Sequence, residues 1–315
     1  LDGNTPSGQS SLFSVVLHEL GHGLGFASFA QQNGQFVGGV PDIFSRNLFD
    51  QETGKNWAAM SDAERAASSL NDPDLVWVGP EVTAQRSAFL DNAVELVINA
   101  PPGISGVHPV TLGQEPGIVL DEVGVTADVV AGDGLVNDSV PCDGFGNSPP
   151  QVTGKIVLFE ADPDCAALFQ TIFTQFASGV GAIIASGDPQ GDADVGGRFD
   201  PPSVTIPYVG TTQALGNDLR DNLPGANVTL RRSTTMFIGE NGGRVRMYAP
   251  AVFRLGSSVS HWSDAATPDL LMEPRLGAIG FDQVDLTVAA FLDMGWKRLV
   301  TAPVLIFRDA FETSP

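Results

Sequence analysis

SLFSVVLHELGHGL, residues 11–24, places Leu12, Val15, Val16, Leu20 and Leu24 at the three-and-four spacing of a helix with one apolar side. Ser10 or Ser11 can cap its start by accepting a backbone N–H, and Gly25 stands where it should stop. The second half contains His18-Glu19-Leu20-Gly21-His22. Residues four apart on a helix face the same way, so His18 and His22 can offer two ring nitrogens to one ion. Glu19, one step round the helix, can reach a water at that ion without being a ligand.

Such an ion needs a third protein ligand. Only His108 and His261 remain among the histidines. His108 lies in GVHPV, where Pro109 biases it toward extended backbone and an ordinary strand role. His261 lies in SVSHWSDAATPDLLMEP, far along the chain. Carboxylates at Glu52 and Glu64 are rival ligands, although Glu64 stands three residues after Ser61 in a capping-box pattern. A zinc ion held by three protein ligands acidifies its water to a pKa of about 7 and polarises a carbonyl. Glu19 is then placed to act as general base and afterwards as general acid. The bland reading of the same residues is a helix with two partly buried histidines and a surface glutamate.

Outward from this helix, residues 42–57 read as surface loops and residues 61–69 as a short helix begun by Ser61. From about residue 94 the character changes. GKIVLFE (154–160) and AIIASG (182–187) read as strands, and between them residues 165–177 put Leu168, Phe169, Ile172, Phe173 and Phe176 on one helical face. TIPYVG (205–210), a helix over 212–223 ended by Pro224, and NVTLRR (227–232) complete an alternating α/β module. Residues 238–300 do not continue that pattern: SHWSD, LLMEP and a helix-like DLTVAAFLDMGW follow, then a short tail over 301–315. With 315 residues, two domains are expected.

The composition narrows the function. Hydrophobic residues make up 43% and charged residues 17%, enough to build a core. The formal charge of −21 repels phosphate backbones, so nucleic acid is not an expected partner. Free carboxylates leave room for Ca2+, yet no EF-hand-like run supports it. No apolar stretch reaches the length of a membrane span. Cys142 and Cys165, the two cysteines, allow one disulfide or two buried thiols.

HELGHGLGF, taken with SHWSDAATPDLLMEP, resembles the metzincin metalloproteases. Ser28 stands where the compact metzincin pattern has its third histidine. In the leishmanolysin branch that histidine comes from beyond a large insertion, and this chain resembles that arrangement. The resemblance implies His18, His22 and His261 as ligands of one catalytic Zn2+, Glu19 as the catalytic carboxylate and Met272 as the methionine of the family's turn. Tyr248 is a candidate oxyanion donor, against a simple strand tyrosine. GKIVLFEADPDC, FASGVGAIIASGD and VTIPYVGTTQALGNDL are similar to the protease-associated (PA) domain, a likeness that implies a Cys142–Cys165 disulfide.

The fold expected is therefore α/β: an α+β metzincin-like catalytic unit over residues 1–94 and 238–300, enclosing a PA insert over 95–237. Metzincins carry a sheet ahead of the helix, and about ten residues precede it here, so a fragment without its signal peptide and upstream half-domain is expected. The activity implied is that of a secreted, extracellular or periplasmic zinc endopeptidase acting on polypeptides. Alternatives are a catalytically inactive scaffold that binds protein through the insert, and a zinc exopeptidase. Oligomeric state is left open.

Overall fold

A computed structural model of the chain describes residues 11–132, 151–188, 192–197, 204–275 and 284–298. The fold is mixed α/β and divides into two compact units, Leu1–Asp91 with Phe237–Pro315, and Asn92–Met236.

The first unit opens with α1 (Leu12–Gly23), where Ser11 accepts the N–H of Ser14 at 3.4 Å. The helix forms where its spacing predicts, but its apolar stripe is not its buried face. Leu12, Val16, Leu20 and Leu24 are exposed, whereas Ser14, His18 and Gly21 are buried. Packing against a later turn selects the small and polar side, a choice that periodicity alone gets backwards.

After α1, the segment expected to be surface loop contains β1 (Leu48–Asp50) and β2 (Lys55–Asn56), and buries Phe44, Leu48 and Trp57. Its apolar residues have no regular period, so they gave no local sign of burial. Next comes α2 (Asp62–Ser68), with the full capping box between Ser61 and Glu64. β3 (Leu75–Trp77) completes an antiparallel sheet of order β2-β1-β3, and α3 (Pro80–Gln85) follows. Buried Arg65 donates to the carbonyls of Gly34 at 2.6 Å and Trp57 at 3.2 Å and lies over the Phe36 ring, which pins the loop after α1.

In the second unit, β4 (Asn92–Ala100), β5 (Gly106–Leu112), β6 (Val125–Ala131), β7 (Ile156–Glu160), β8 (Gly181–Ala185), β9 (Tyr208–Thr211) and β10 (Asn227–Phe237) close a barrel of order β10-β4-β5-β9-β8-β7-β6. The run β6 to β9 is parallel through β7 and β8, and the pairings of β4 with β5, β5 with β9 and β10 with β6 are antiparallel. β7 and β8 are buried on both faces, which is why they read as unbroken apolar runs. Ile156, Leu158 and Ile183 enter one cluster with Leu215 and Leu219 of α5 (Gln213–Asp221); Val157, Phe159 and Ile184 enter another with Ala167 and Leu168 of α4 (Ala167–Phe176). In α4 the expected face holds in part: Leu168 is buried and Ile172 packs against the core, whereas Phe169 and Phe176 are exposed and Thr171 and Thr174 are buried, because the buried side is rotated toward the smaller residues. Cys165 is buried with no free thiol, and Cys142 lies outside the described residues.

On returning to the first unit the chain forms β11 (Glu240–Asn241), β12 (Arg244–Val245) and α6 (Leu286–Asp293). Phe26, Phe44, Trp77 and Trp262 interlock at the centre of its core, with edge-to-face ring separations of 5.0 Å for Phe26–Phe44, Phe26–Trp262 and Phe44–Trp77. Each such pair adds about 0.5–1.5 kcal/mol beyond burial. Phe26 lies four residues after His22 and Trp262 directly follows His261, so this cluster ties both histidine-bearing segments into one core. Among the described residues, no helix is long and apolar enough to cross a membrane.

Candidate metal centre

His18 and His22 project from α1, and His261 meets them from the return segment. Their Nε2 atoms form a tight triangle: 3.1 Å from His22 to His18, 3.1 Å from His22 to His261 and 3.3 Å from His261 to His18. His18 and His261 are buried and His22 is half-buried.

The other ring nitrogens determine what those atoms are. Nδ1 of His18 lies 2.7 Å from the carbonyl of Leu271, that of His22 2.7 Å from the carbonyl of Phe26, and that of His261 2.8 Å from the carbonyl of Ser257. A carbonyl only accepts, so each Nδ1 must carry the hydrogen and donate it. In the neutral rings every Nε2 is then a bare lone pair. Burial lowers the pKa of His22, and it drives that of His261 down to about 4, with His22 and His18 adding to the shift. Three lone pairs facing one another at these distances repel unless a cation lies between them.

A zinc ion fits that requirement. Nitrogens this close together could all reach one ion at the usual distance of about 2.0–2.1 Å, so His18, His22 and His261 would hold it. The locking of each imidazole through Nδ1 is also the outer arrangement that metal-binding histidines require. Glu19 is exposed on the helix that carries two of them.

Met272 is fully buried against α1, and Gly21 makes room for it. Tyr248 meets the site through its backbone, donating its N–H to the His261 carbonyl at 2.9 Å. The rival ligands are engaged elsewhere: Glu64 in the capping box and with Lys55, and Glu52 with Asn71 at 2.8 Å. His108 lies in β5, opposite Leu96 of β4. What sequence reasoning missed are the three carbonyls, of Phe26, Ser257 and Leu271, since a backbone group leaves no mark in residue type. Two of them sit four residues from the histidine they hold, the only local hint available.

The family profile of the PA domain matches residues 125–219. The second unit contains a PA domain. Among solved structures, a zinc aminopeptidase from Bacillus subtilis is similar at 16% identity and a TM-score of 0.33, over 46% of this chain and 31% of that one. An aminopeptidase from Aneurinibacillus sp. strain AM-1 is similar at 15% identity and a TM-score of 0.32, over 50% of this chain and 38% of that one. This chain thus spans about a third of the length of the structures it matches. Likeness of that degree says nothing of the metal centre, and the PA match leaves the histidines outside it. No curated protein matches the sequence.

Proposed function

We propose that this chain belongs to a zinc-dependent endopeptidase of leishmanolysin-like metzincin type, with His18, His22 and His261 holding one ion and Glu19 handling the proton. The observation that carries it is the triangle of Nε2 lone pairs, each turned inward by a carbonyl on the far side of its ring. Among the described residues, these three form the one grouping of three or more potential ligands.

When bound, zinc supplies a Lewis acid that polarises a peptide carbonyl and acidifies water. The chain does the rest. Phe26, Ser257 and Leu271 fix ring orientation and keep Nε2 unprotonated. Glu19, solvent-facing and adjacent to His18 in sequence, accepts a proton from the attacking water at its carboxylate and returns it to the leaving amine. Met272 packs under the helix and holds the level of Gly21. The substrate class is polypeptide and the setting outside the cytoplasm, where a Cys142–Cys165 disulfide would persist.

The test is zinc content together with cleavage of casein and of peptides blocked at both ends. One zinc per chain is expected, with blocked peptides cut internally. Glu19→Gln should keep the zinc and lose at least about 100-fold in rate. Equal cleavage by Glu19→Gln defeats the catalytic assignment, and two tightly held zinc ions with activity only on free N-termini point to an exopeptidase instead.

A further inference from the structure

The segment that brings His261 to α1 arrives through a bulge. Tyr248 donates its N–H to the carbonyl of His261 at 2.9 Å, while its own carbonyl accepts the N–H of Val259 at 2.8 Å. One residue therefore faces an arc of three, 259–261. Pairing resumes at once, with Met247 opposite Trp262. Val259 is buried with φ at 72°, a conformation that a β-branched residue takes only where its surroundings enforce it. Bulges beside sites serve to re-aim a side chain, and here the re-aimed side chain is His261.

Ser260, the middle of the arc, is tied down from the other side of the site. Its Oγ accepts the N–H of Ser28 at 3.1 Å. Ser28 is itself fixed: Ser45 Oγ donates to the Asp42 carboxylate at 2.8 Å, so the hydroxyl of Ser28, 2.9 Å from Ser45 Oγ, is left to donate to it. Asp42 also accepts the N–H groups of Phe29 at 2.9 Å and Ser45 at 2.7 Å. Phe26, two residues before Ser28, is the residue whose carbonyl locks His22. A continuous relay, Asp42 to Ser45 to Ser28 to Ser260, thus joins the loop that orients His22 to the arc that delivers His261.

We infer that Ser260 is a positioning residue, whose bond from Ser28 sets where the His261 imidazole stands relative to His22. The inference rests on the metal reading above and deepens it. Zinc affinity by chelator competition and the cobalt(II) ligand-field spectrum, measured on the whole chain, test it. Ser260→Ala should leave the far-UV spectrum of the zinc-free protein unchanged and lower its melting point only slightly, yet raise the zinc Kd about tenfold and shift the cobalt bands. Ser260→Thr, which keeps the oxygen, should restore both. Ser45→Ala cuts the relay at its far end and should weaken zinc in the same direction. If zinc binds the parent tightly and Ser260→Ala equally so with an unchanged cobalt spectrum, or if Ser260→Thr is as weak as Ser260→Ala, the positioning role is overturned while the metal site stands. A parent chain that takes neither zinc nor cobalt overturns both.

Discussion

Gly21 and Met272 meet so closely that a Cβ on residue 21 would lie 2.5 Å from the Met272 sulfur. Met272 is fully buried, and the residue before it, Leu271, lends its carbonyl to His18. The glycine inside the HELGH run is therefore what allows the turn at 270–273 to press against α1 and lock an imidazole.

Gly21→Ala should destabilise the protein although alanine favours helix by about 1 kcal/mol, because overpacking a buried contact costs about 1–3 kcal/mol. Denaturant unfolding of a double-mutant cycle checks the cause. In a Met272→Ala background the same glycine change should become neutral or stabilising, and additive effects would rule out the contact as the reason.

Removing the metal should cost stability, since the chain is left with three inward lone pairs and nothing between them. Melting points with zinc and with a chelator should differ for the parent by several degrees, increasingly as free zinc rises. His261→Ala should show almost no such difference. A parent melting point indifferent to chelator would contradict the site.

Glu273 makes the stability of the fold depend on pH. Burial pushes its pKa up to about 8, and Asp269, Asp264 and Asp285 add to the shift. Between the ordinary 4.5 and about 8 the folded chain holds a proton that the unfolded chain has lost. Stability should fall as pH rises through that window, by an amount on the order of a few kcal/mol. Glu273→Gln should flatten this decline and be the more stable protein at pH 8. Parallel urea-stability curves for the two proteins across the window would exclude Glu273 as the source.

Asp293 of α6 caps α3 from a distance of more than two hundred residues. Its carboxylate accepts the N–H of Glu81 at 2.8 Å and of Val82 at 3.2 Å, together with the indole N–H of Trp77 at 2.9 Å. The residue before α3, Gly79, has no side chain to do this. Asp293→Ala should cost about 2–4 kcal/mol, from a lost cap plus an unpartnered buried indole. A loss below about 0.5 kcal/mol in urea unfolding would show that water replaces it freely.

Several elements could be read before any coordinates. Ser61 with Glu64 announces α2, Ser11 announces α1, and the alternation from Gly154 to Arg232 announces a mixed α/β fold. The buried faces could not. Leu12, Val16 and Leu20 have the spacing of a core stripe and lie exposed, and Phe169 and Phe176 repeat the lesson in α4. Helical spacing says which residues share a side, not which side the neighbouring elements cover.

The sequence alone determined that His18 and His22 share one side of a helix with Glu19 a step away, because helix geometry is set by hydrogen bonds spanning four residues. Only the tertiary structure decided which nitrogen of each ring carries the hydrogen, that a bulge aims His261 at the pair, and that Ser28 anchors that bulge. Those outcomes depend on carbonyls and hydroxyls brought together across more than two hundred residues, as with Leu271 and His18, and nothing in residue type or spacing records such a meeting.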